Sequence, residues 1–491
     1  MARTLIIVDR PSGWPFKLPN VEVVSARDYL NDEVWSACKH ARVFNLCRSY
    51  RYQTIGYYVS LLAEARGHRP IPKIGTLQDL RHQSLLRVAS AEVDELIQSS
   101  LKSLQSDSFV LSIYFARNLA KRYDRLSRAL FNIFPAPFLQ GHFTRLGDRW
   151  YLRRLTPIPA SAIPESHREF VMDAGTRYFS KGIARPTRRR MTKYHLAILF
   201  GDSEPTPPSD RAAIDRFVAA AGELDISSEL VERDDYGRVA EFDALFIRET
   251  TVVTGHTYRF ARRAEAEGLV VMDDPDSIVR CTNKVYLAEL LARHGVPMPR
   301  TEIIHRRNSL EALSRLGLPC VLKTPDSSFS LGVTKVESEK AYRQMVEKLL
   351  DESELLIGQE FLRTDYDWRV GIIDRKPLYA CKYYMARGHW QIYNHSAKGG
   401  GESGTDFEGD YETMPVEMAP KRVVQMAVKA ANLIGDGLYG VDVKYMGGRP
   451  FVIEINDNPS IEAGVEDACL GDELYHRIMM SFYRRLVDKR R

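Results

Sequence analysis

Two carboxylates and an amide stand close together near the C-terminus. The stretch from Gly440 reads Gly-Val-Asp-Val-Lys-Tyr-Met-Gly-Gly-Arg-Pro-Phe-Val-Ile-Glu-Ile-Asn-Asp-Asn-Pro. Val441, Val443 and Tyr445 alternate with Asp442 and Lys444. Phe451, Ile453 and Ile455 alternate with Val452, Glu454 and Asn456. A period of two describes strands, with alternate side chains sharing a face. A hairpin turning at Gly447-Gly448 brings Asp442 across from Glu454 and Asn456. Three hard oxygen ligands then converge, a set that suits Mg²⁺ or Mn²⁺ and suits zinc or copper poorly. The alternative is a surface hairpin with a wet polar face. The apolar neighbours argue against it, because a half-buried Glu and Asn need a partner and a metal supplies one.

Upstream stretches carry phosphate and nucleotide chemistry. Lys323 ends an apolar strand, Cys320-Val-Leu-Lys, ahead of a Ser-rich loop that closes at Gly332. A lysine at a strand end beside such a loop meets phosphate oxygens, or else simply faces solvent before a turn. Leu356-Ile-Gly-Gln359-Glu360-Phe361 is a second apolar strand with a polar pair, able to present backbone groups to an adenine edge. Asp367 and Arg369 follow, as a ribose and an anion contact or as a surface ion pair. His389 to Gly401 contains Asn394, His395 and Lys398 before three glycines, a composition that lets backbone approach a ligand closely. The two histidines read as structural or exposed more readily than as catalytic.

These segments need a scaffold, and the chain supplies strands alternating with helices, the mark of an α/β protein. At 491 residues about three domains are expected. Residues 1–180 open with a strand at Leu5–Val8, another at Ala41–Leu46 and a helix over Thr54–Arg66 that stops at Gly67. Ser99–Leu130 reads as largely helical, and Gly147–Pro159 as an edge strand running into a Pro-rich connection. Residues 181–193 form a basic linker containing Arg188, Arg189 and Arg190. Residues 194–280 repeat a βαβ rhythm, with Ser209 placed to cap a helix over Asp210–Ala221. Residues 281–491 hold most of the chemistry and end in a helix over Asp472–Lys489.

Composition removes several classes. Hydrophobic residues at 44% and charged residues at 27% describe a globular chain. A net charge of +5 from 69 basic and 64 acidic residues is too balanced to call for nucleic acid, though it tolerates anionic substrates. The opening Met-Ala-Arg-Thr-Leu-Ile-Ile-Val-Asp-Arg is a short strand broken by charge rather than a signal peptide. No uncharged apolar run is long enough to span a bilayer. The six cysteines are scattered, with no C-x-x-C pair, as expected of a cytoplasmic protein.

The order of the motifs resembles the ATP-grasp superfamily, and within it the RimK-like ligases. That order is a Lys, a Lys with a loop, a Gln-Glu-Phe hinge, an Asp-x-Arg, a Gly loop, then Asp…Glu-x-Asn. The resemblance is close over about residues 281–470, and residues 194–280 look like the domain that precedes ATP-grasp. It implies two α+β subdomains gripping ATP. It implies that Lys284 and Lys323 contact ATP phosphates, that Gln359, Glu360 and Phe361 form the adenine hinge, and that Asp367 lies at the ribose. Asp442, Glu454 and Asn456 would hold two Mg²⁺ ions, with Arg369, Asn394 and Lys398 near the reacting centre. Two features depart from the family. The phosphate loop has one glycine, Gly332, and Lys398-Gly-Gly stands where RimK-like proteins have Arg-Gly-Gly, losing a bidentate fork.

Phe44–Tyr58 is similar to an accessory domain at the N-terminus of some RimK-like proteins. Arg48, Tyr50, Arg51, Tyr57 and Tyr58 form either a basic-aromatic patch for an acidic acceptor or a junction whose tyrosines pack inward. The implied activity is ATP-dependent ligation of a carboxylate, glutamate by family analogy, to an amine on an amino acid, peptide or protein terminus. Related ligases often assemble, so a homo-oligomer is compatible; nucleic acid and membrane partners are not expected. The rival readings are a phosphotransferase with no amide product, and a nucleotide-sensing RNA- or ribosome-associated protein using the Arg188–Arg190 arm.

Overall fold

The structure is a computed structural model describing residues 3–38, 41–81, 93–180, 193–201, 204, 206–326, 332–386, 389–392 and 409–489. The chain divides into two compact units, Met1–Ile198 with Asp225–Ala244, and Leu199–Leu224 with Leu245–Arg491.

The first unit opens with a parallel sheet in the order Glu22–Ser25, Arg3–Val8, Ala41–Asn45, Arg69–Ile71. Leu5, Ile6 and Ile7 are all fully buried, as a strand covered on both faces requires. The helix Ile55–Ala65 follows, and Gly67 takes φ 70° just past its end, the left-handed stop expected of glycine. The expected long helix over 99–130 is not what forms. A helix spans Asp94–Leu101, a strand Ser108–Tyr114 and a second helix Asp124–Ile133. The period-two run of Leu111, Ile113 and their neighbours wins there because it pairs with Phe138–Leu146, which in turn pairs with the edge strand Arg149–Pro157.

The accessory patch divides. Tyr50 packs inward, its hydroxyl donating to the Asn45 carbonyl at 2.7 Å, while Arg48, Arg51, Tyr52 and Tyr58 are exposed. The Arg188–Arg190 arm lies outside the described residues.

From Tyr194 onward strands and helices alternate as expected, with one strand, Ile226–Val231, that the pattern did not single out. Ser209 is not a helix cap. The helix spans Arg211–Glu223 and Asp210 caps it by accepting the Ala213 N–H, whereas the buried Ser209 hydroxyl donates to the Ile461 carbonyl at 2.8 Å.

Two antiparallel sheets in the second unit carry the motifs. The larger runs Tyr411–Met414, Lys376–Tyr384, Tyr366–Ile373, Leu438–Met446, Arg449–Asn456. Trp368, Val370, Val441, Val443, Val452 and Ile455 point from it into a core shared with the helices Lys421–Ile434 and Lys284–Arg293. The smaller runs Thr301–Ile304, Leu356–Glu360, Cys320–Lys323, Val333–Val336, and packs Ile304, Leu322 and Leu356 against the helices Ser309–Leu316 and Glu339–Leu349. The large sheet depends on a missing side chain at Gly371. A Cβ there would sit 2.2 Å from Cε1 of the fully buried Tyr379 ring. Gly371→Ala is expected to cost about 1–3 kcal/mol of stability by overpacking, read as a lower urea midpoint at unchanged m-value.

Candidate functional site

The hairpin forms as its residues imply. Met446 pairs with Arg449, leaving Gly447 and Gly448 as a two-residue turn with φ 57° and 74°. Two successive left-handed residues are what a type I′ turn needs. Asp442 lies directly opposite Glu454, and Asn456 opposite Gly440. The register shifts once, between Asp442 and Val443. That bulge breaks the simple alternation: Val452 and Ile455 are buried, while Ile453 joins Glu454 on the cavity wall rather than Ile455 in the core.

Two cavities meet at these carboxylates. The first, about 130 Å³, is lined by Lys284, Lys323, Gln359, Glu360, Phe361 and Asp367, together with Asp442 and Glu454. Eight of the expected site residues therefore converge from both sheets and one helix. The second, about 200 Å³, shares Asp442, Glu454 and Ile392 with the first and adds Arg369 and Asn456. Asn394 and Lys398 lie outside the described residues.

Each side chain is held by its element. Lys284 is the first residue of its helix, whose cap Asn283 accepts the N–H groups of Val285 and Tyr286. Its backbone N–H donates to the Pro325 carbonyl, tying it to the chain that leaves the Lys323 strand. Gln359 donates to the Thr301 hydroxyl at 3.0 Å. Glu360 accepts the Arg300 N–H at 2.8 Å. The Phe361 ring meets Trp390 edge-on at 5.8 Å and lies under the Lys335 ammonium at 4.5 Å, making an aromatic wall.

The charges interlock. Lys284 pairs with Glu454 at 2.9 Å. Arg369 grips Asp442 with Nε and Nη2 at 2.7 and 2.9 Å, and its guanidinium lies over the Tyr383 ring. Asp367 and Arg369 do not pair with each other; Asp367 is held by Lys444 at 2.6 Å and by the Thr364 hydroxyl at 3.0 Å. Burial works to raise the Glu454 pKa, but Lys284 and Lys323 outweigh it and hold the group below its ordinary value. Burial wins at Asp442, whose pKa is raised in spite of Arg369. Burial also lowers Lys323 to about 8, with Lys284 and Lys444 adding repulsion that Glu454 offsets in part.

Two carboxylates and an amide on adjacent strands fit a hard divalent cation that keeps open positions for phosphate oxygens. The protein's own cations stand on both carboxylates, Lys284 on Glu454 and Arg369 on Asp442. Among the described residues no cluster of three His, Cys, Asp or Glu side chains is placed to hold a metal ion, here or elsewhere; the set at this site is two carboxylates and an amide. Lys444 was missed as a site residue. Its signal was present, since period-two alternation puts it on the face of Asp442; a lone lysine there reads as solvent-facing until Asp367 is seen across from it.

Residues 26–174 match the RimK-like ATPgrasp N-terminal domain, and residues 290–463 match the D-ala D-ala ligase C-terminus. A probable alpha-L-glutamate ligase of Nitrosococcus oceani is 28% identical over 231 residues, covering 46% of this chain and 72% of that protein. One of Stutzerimonas stutzeri is 26% identical over 230 residues, covering 46% and 71%. A RimK domain ATP-grasp protein from Sphaerobacter thermophilus aligns over 58% of this chain and 99% of that chain at 17% identity and a TM-score of 0.44, a likeness too distant to carry the fold alone. The family models and the named relatives support an ATP-dependent ligase. The two matched segments and these relatives make the chain similar to RimK-like ATP-grasp ligases. No helix among the described residues is long and apolar enough to cross a membrane.

Proposed function

We propose that this chain joins an amino-acid carboxylate to the amine of an amino acid, peptide or protein terminus, with L-glutamate the first substrate to try because its relatives are named for it. The observation that carries the reading is the Asp442–Glu454 pair on the wall common to two cavities, so that phosphate transfer and amide formation share one centre. Lys284, Lys323 and Lys444 supply positive charge to the triphosphate side. Gln359, Glu360 and Phe361 form the adenine wall, and Asp367 faces the ribose. Asp442, Glu454 and Asn456 hold Mg²⁺, or Mn²⁺ in its place, which when bound neutralises phosphate charge.

The substrate carboxylate forms a bond to the γ-phosphorus as the bond to the β-bridging oxygen breaks, and ADP leaves. The amine then attacks the acyl carbon, phosphate departs and the nitrogen sheds a proton, leaving an amide. Lys284 exchanges Glu454 for phosphate oxygens during nucleotide binding, and Arg369 stabilises the negative charge that develops at the acyl oxygen. Asn394 and Lys398 complete the carboxylate side. The division at 180, 193 and 280 belongs to the same proposal, with the first 180 residues as the accessory domain. The test is phosphate release with Mg²⁺ and ATP against single amino acids and short acidic peptides, with mass spectrometry of the products. Amine-dependent release with a new amide mass is expected; phosphate release in which no condition yields an amide sinks the proposal.

A further inference from the structure

The second cavity holds a polar group that the nucleotide reading leaves idle. Asp457 follows Asn456 off the hairpin and is 5% exposed, yet it lines this cavity. One side of its carboxylate receives the Thr251 hydroxyl. The other oxygen, Oδ2, has no hydrogen-bond partner among the described residues, and neither has the Thr250 hydroxyl on the same wall. A buried carboxylate oxygen with no partner is costly, and a native fold keeps one where a ligand supplies the donor.

The backbone carrying Asp457 is fixed in place. Arg248, fully buried at the end of its strand, donates to Asn458 Oδ1 at 2.6 Å and to the Pro459 carbonyl at 2.8 Å. It also donates to Ser209 Oγ at 3.0 Å and the Pro208 carbonyl at 2.6 Å. Asn458 in turn donates to the Glu249 carbonyl at 2.7 Å. A single guanidinium thus ties the two residues after Asp457 to the Pro208-Ser209 segment. Charge then names the ligand. Among the described residues lining this cavity Asp442 is paired with Arg369 and Glu454 with Lys284, which leaves Asp326 and Asp457 as the acidic groups outside those ion pairs.

We propose that Asp457, with Thr250 beside it, is the specificity-determining contact for the amine substrate, which enters this cavity as its ammonium, places its nitrogen against the open carboxylate oxygen and gives up one proton to it before the neutral amine attacks. This rests on the carboxylate–amine ligase reading above.

The test is competition. L-glutamate is offered with Mg²⁺ and ATP as both carboxylate and amine, in the presence of hydroxylamine, a nucleophile that is uncharged at neutral pH. The products are glutamyl hydroxamate and diglutamate, and their ratio does not depend on how much of a variant folds. In Asp457→Asn the amide-to-hydroxamate ratio is expected to fall about 10- to 100-fold, the value of one charge-assisted hydrogen bond. An unaltered ratio overturns the proposal, whether both rates hold or both fall. Where glutamate yields neither product, the amino acid found in the screen above takes its place; a wild-type protein that makes neither product with any of them overturns the ligase reading itself, and this inference with it.

Discussion

Replacing Lys323 by methionine is expected to weaken ATP binding about 100-fold while raising the stability of the empty protein. The lysine is 8% exposed at the end of its strand, and burial lowers its pKa to about 8 from 10.5. The unfolded chain keeps its proton up to the ordinary value, so between about pH 8 and 10.5 the unfolded state binds more protons than the folded one. Stability of the empty protein therefore rises with pH across that window, and below it the folded state carries the full cost of a desolvated ammonium. The cost is at most about 3 kcal/mol, from the separation of the two pKa values. Methionine keeps the length of the side chain and removes the charge. A higher Tm for the variant at pH 7, with the difference shrinking as pH approaches 10, is the stability result.

The same ammonium supplies ATP with a charge-assisted contact, worth about 10- to 100-fold in affinity, and repulsion among the phosphates makes the upper figure the expected one. Wild-type affinity should also fall as pH rises above about 8, by up to about tenfold per unit, because binding must then recover a proton. That pH dependence disappears in the variant. Calorimetric titration with a non-hydrolysable ATP analogue across pH 7 to 9.5 reads both effects. Equal affinities for the two proteins would remove Lys323 from the phosphate site.

Glu454→Gln is expected to reduce turnover about 1,000-fold or more with the fold intact. Glu454 is held ionised by Lys284 and Lys323, so its charge is present at every working pH. Glutamine fills the same space and offers one acceptor oxygen, but the ligand set drops to one carboxylate with two amides. The surviving Asp442 is already engaged by Arg369. Lys284 loses its ion pair with position 454 at the same time. The Mg²⁺ requirement should shift upward about 10- to 100-fold, while the far-UV circular dichroism spectrum stays unchanged. Turnover equal to wild type at ordinary Mg²⁺ sinks the metal assignment; a lost spectrum would instead mark Glu454 as structural.

What was legible in the chain was whatever local pattern carries. Alternation at Val441–Tyr445 and the Gly447-Gly448 pair specify a hairpin with Asp442 opposite Glu454, because a period of two and a two-residue turn leave one register. Gly67 stops a helix for a similarly local reason, since left-handed backbone costs glycine little. Local pattern failed where pairing at a distance decided. Ser108–Tyr114 became a strand because Phe138–Leu146 was there to receive its hydrogen bonds. Ser209 lost the cap to Asp210 because Arg248 and Ile461, both far away in the chain, claimed its hydroxyl. The bulge that swings Ile453 onto the cavity wall left no mark in the residue order.

The residues themselves settled the kinds of chemistry available: oxygen ligands for a hard cation, lysines for phosphate, an amide-and-aromatic hinge. Their partners were a matter of three dimensions. Lys284 on Glu454, Arg369 on Asp442 and Lys444 on Asp367 join positions 170, 73 and 77 residues apart. Coulomb energy depends on separation in space and on burial, and neither quantity exists until the sheets have paired and excluded water. The open oxygen of Asp457 is the sharpest case: in the chain it is one more acidic residue in an Asn-Asp-Asn run, and only the fold buries it with one oxygen lacking a hydrogen-bond partner among the described residues.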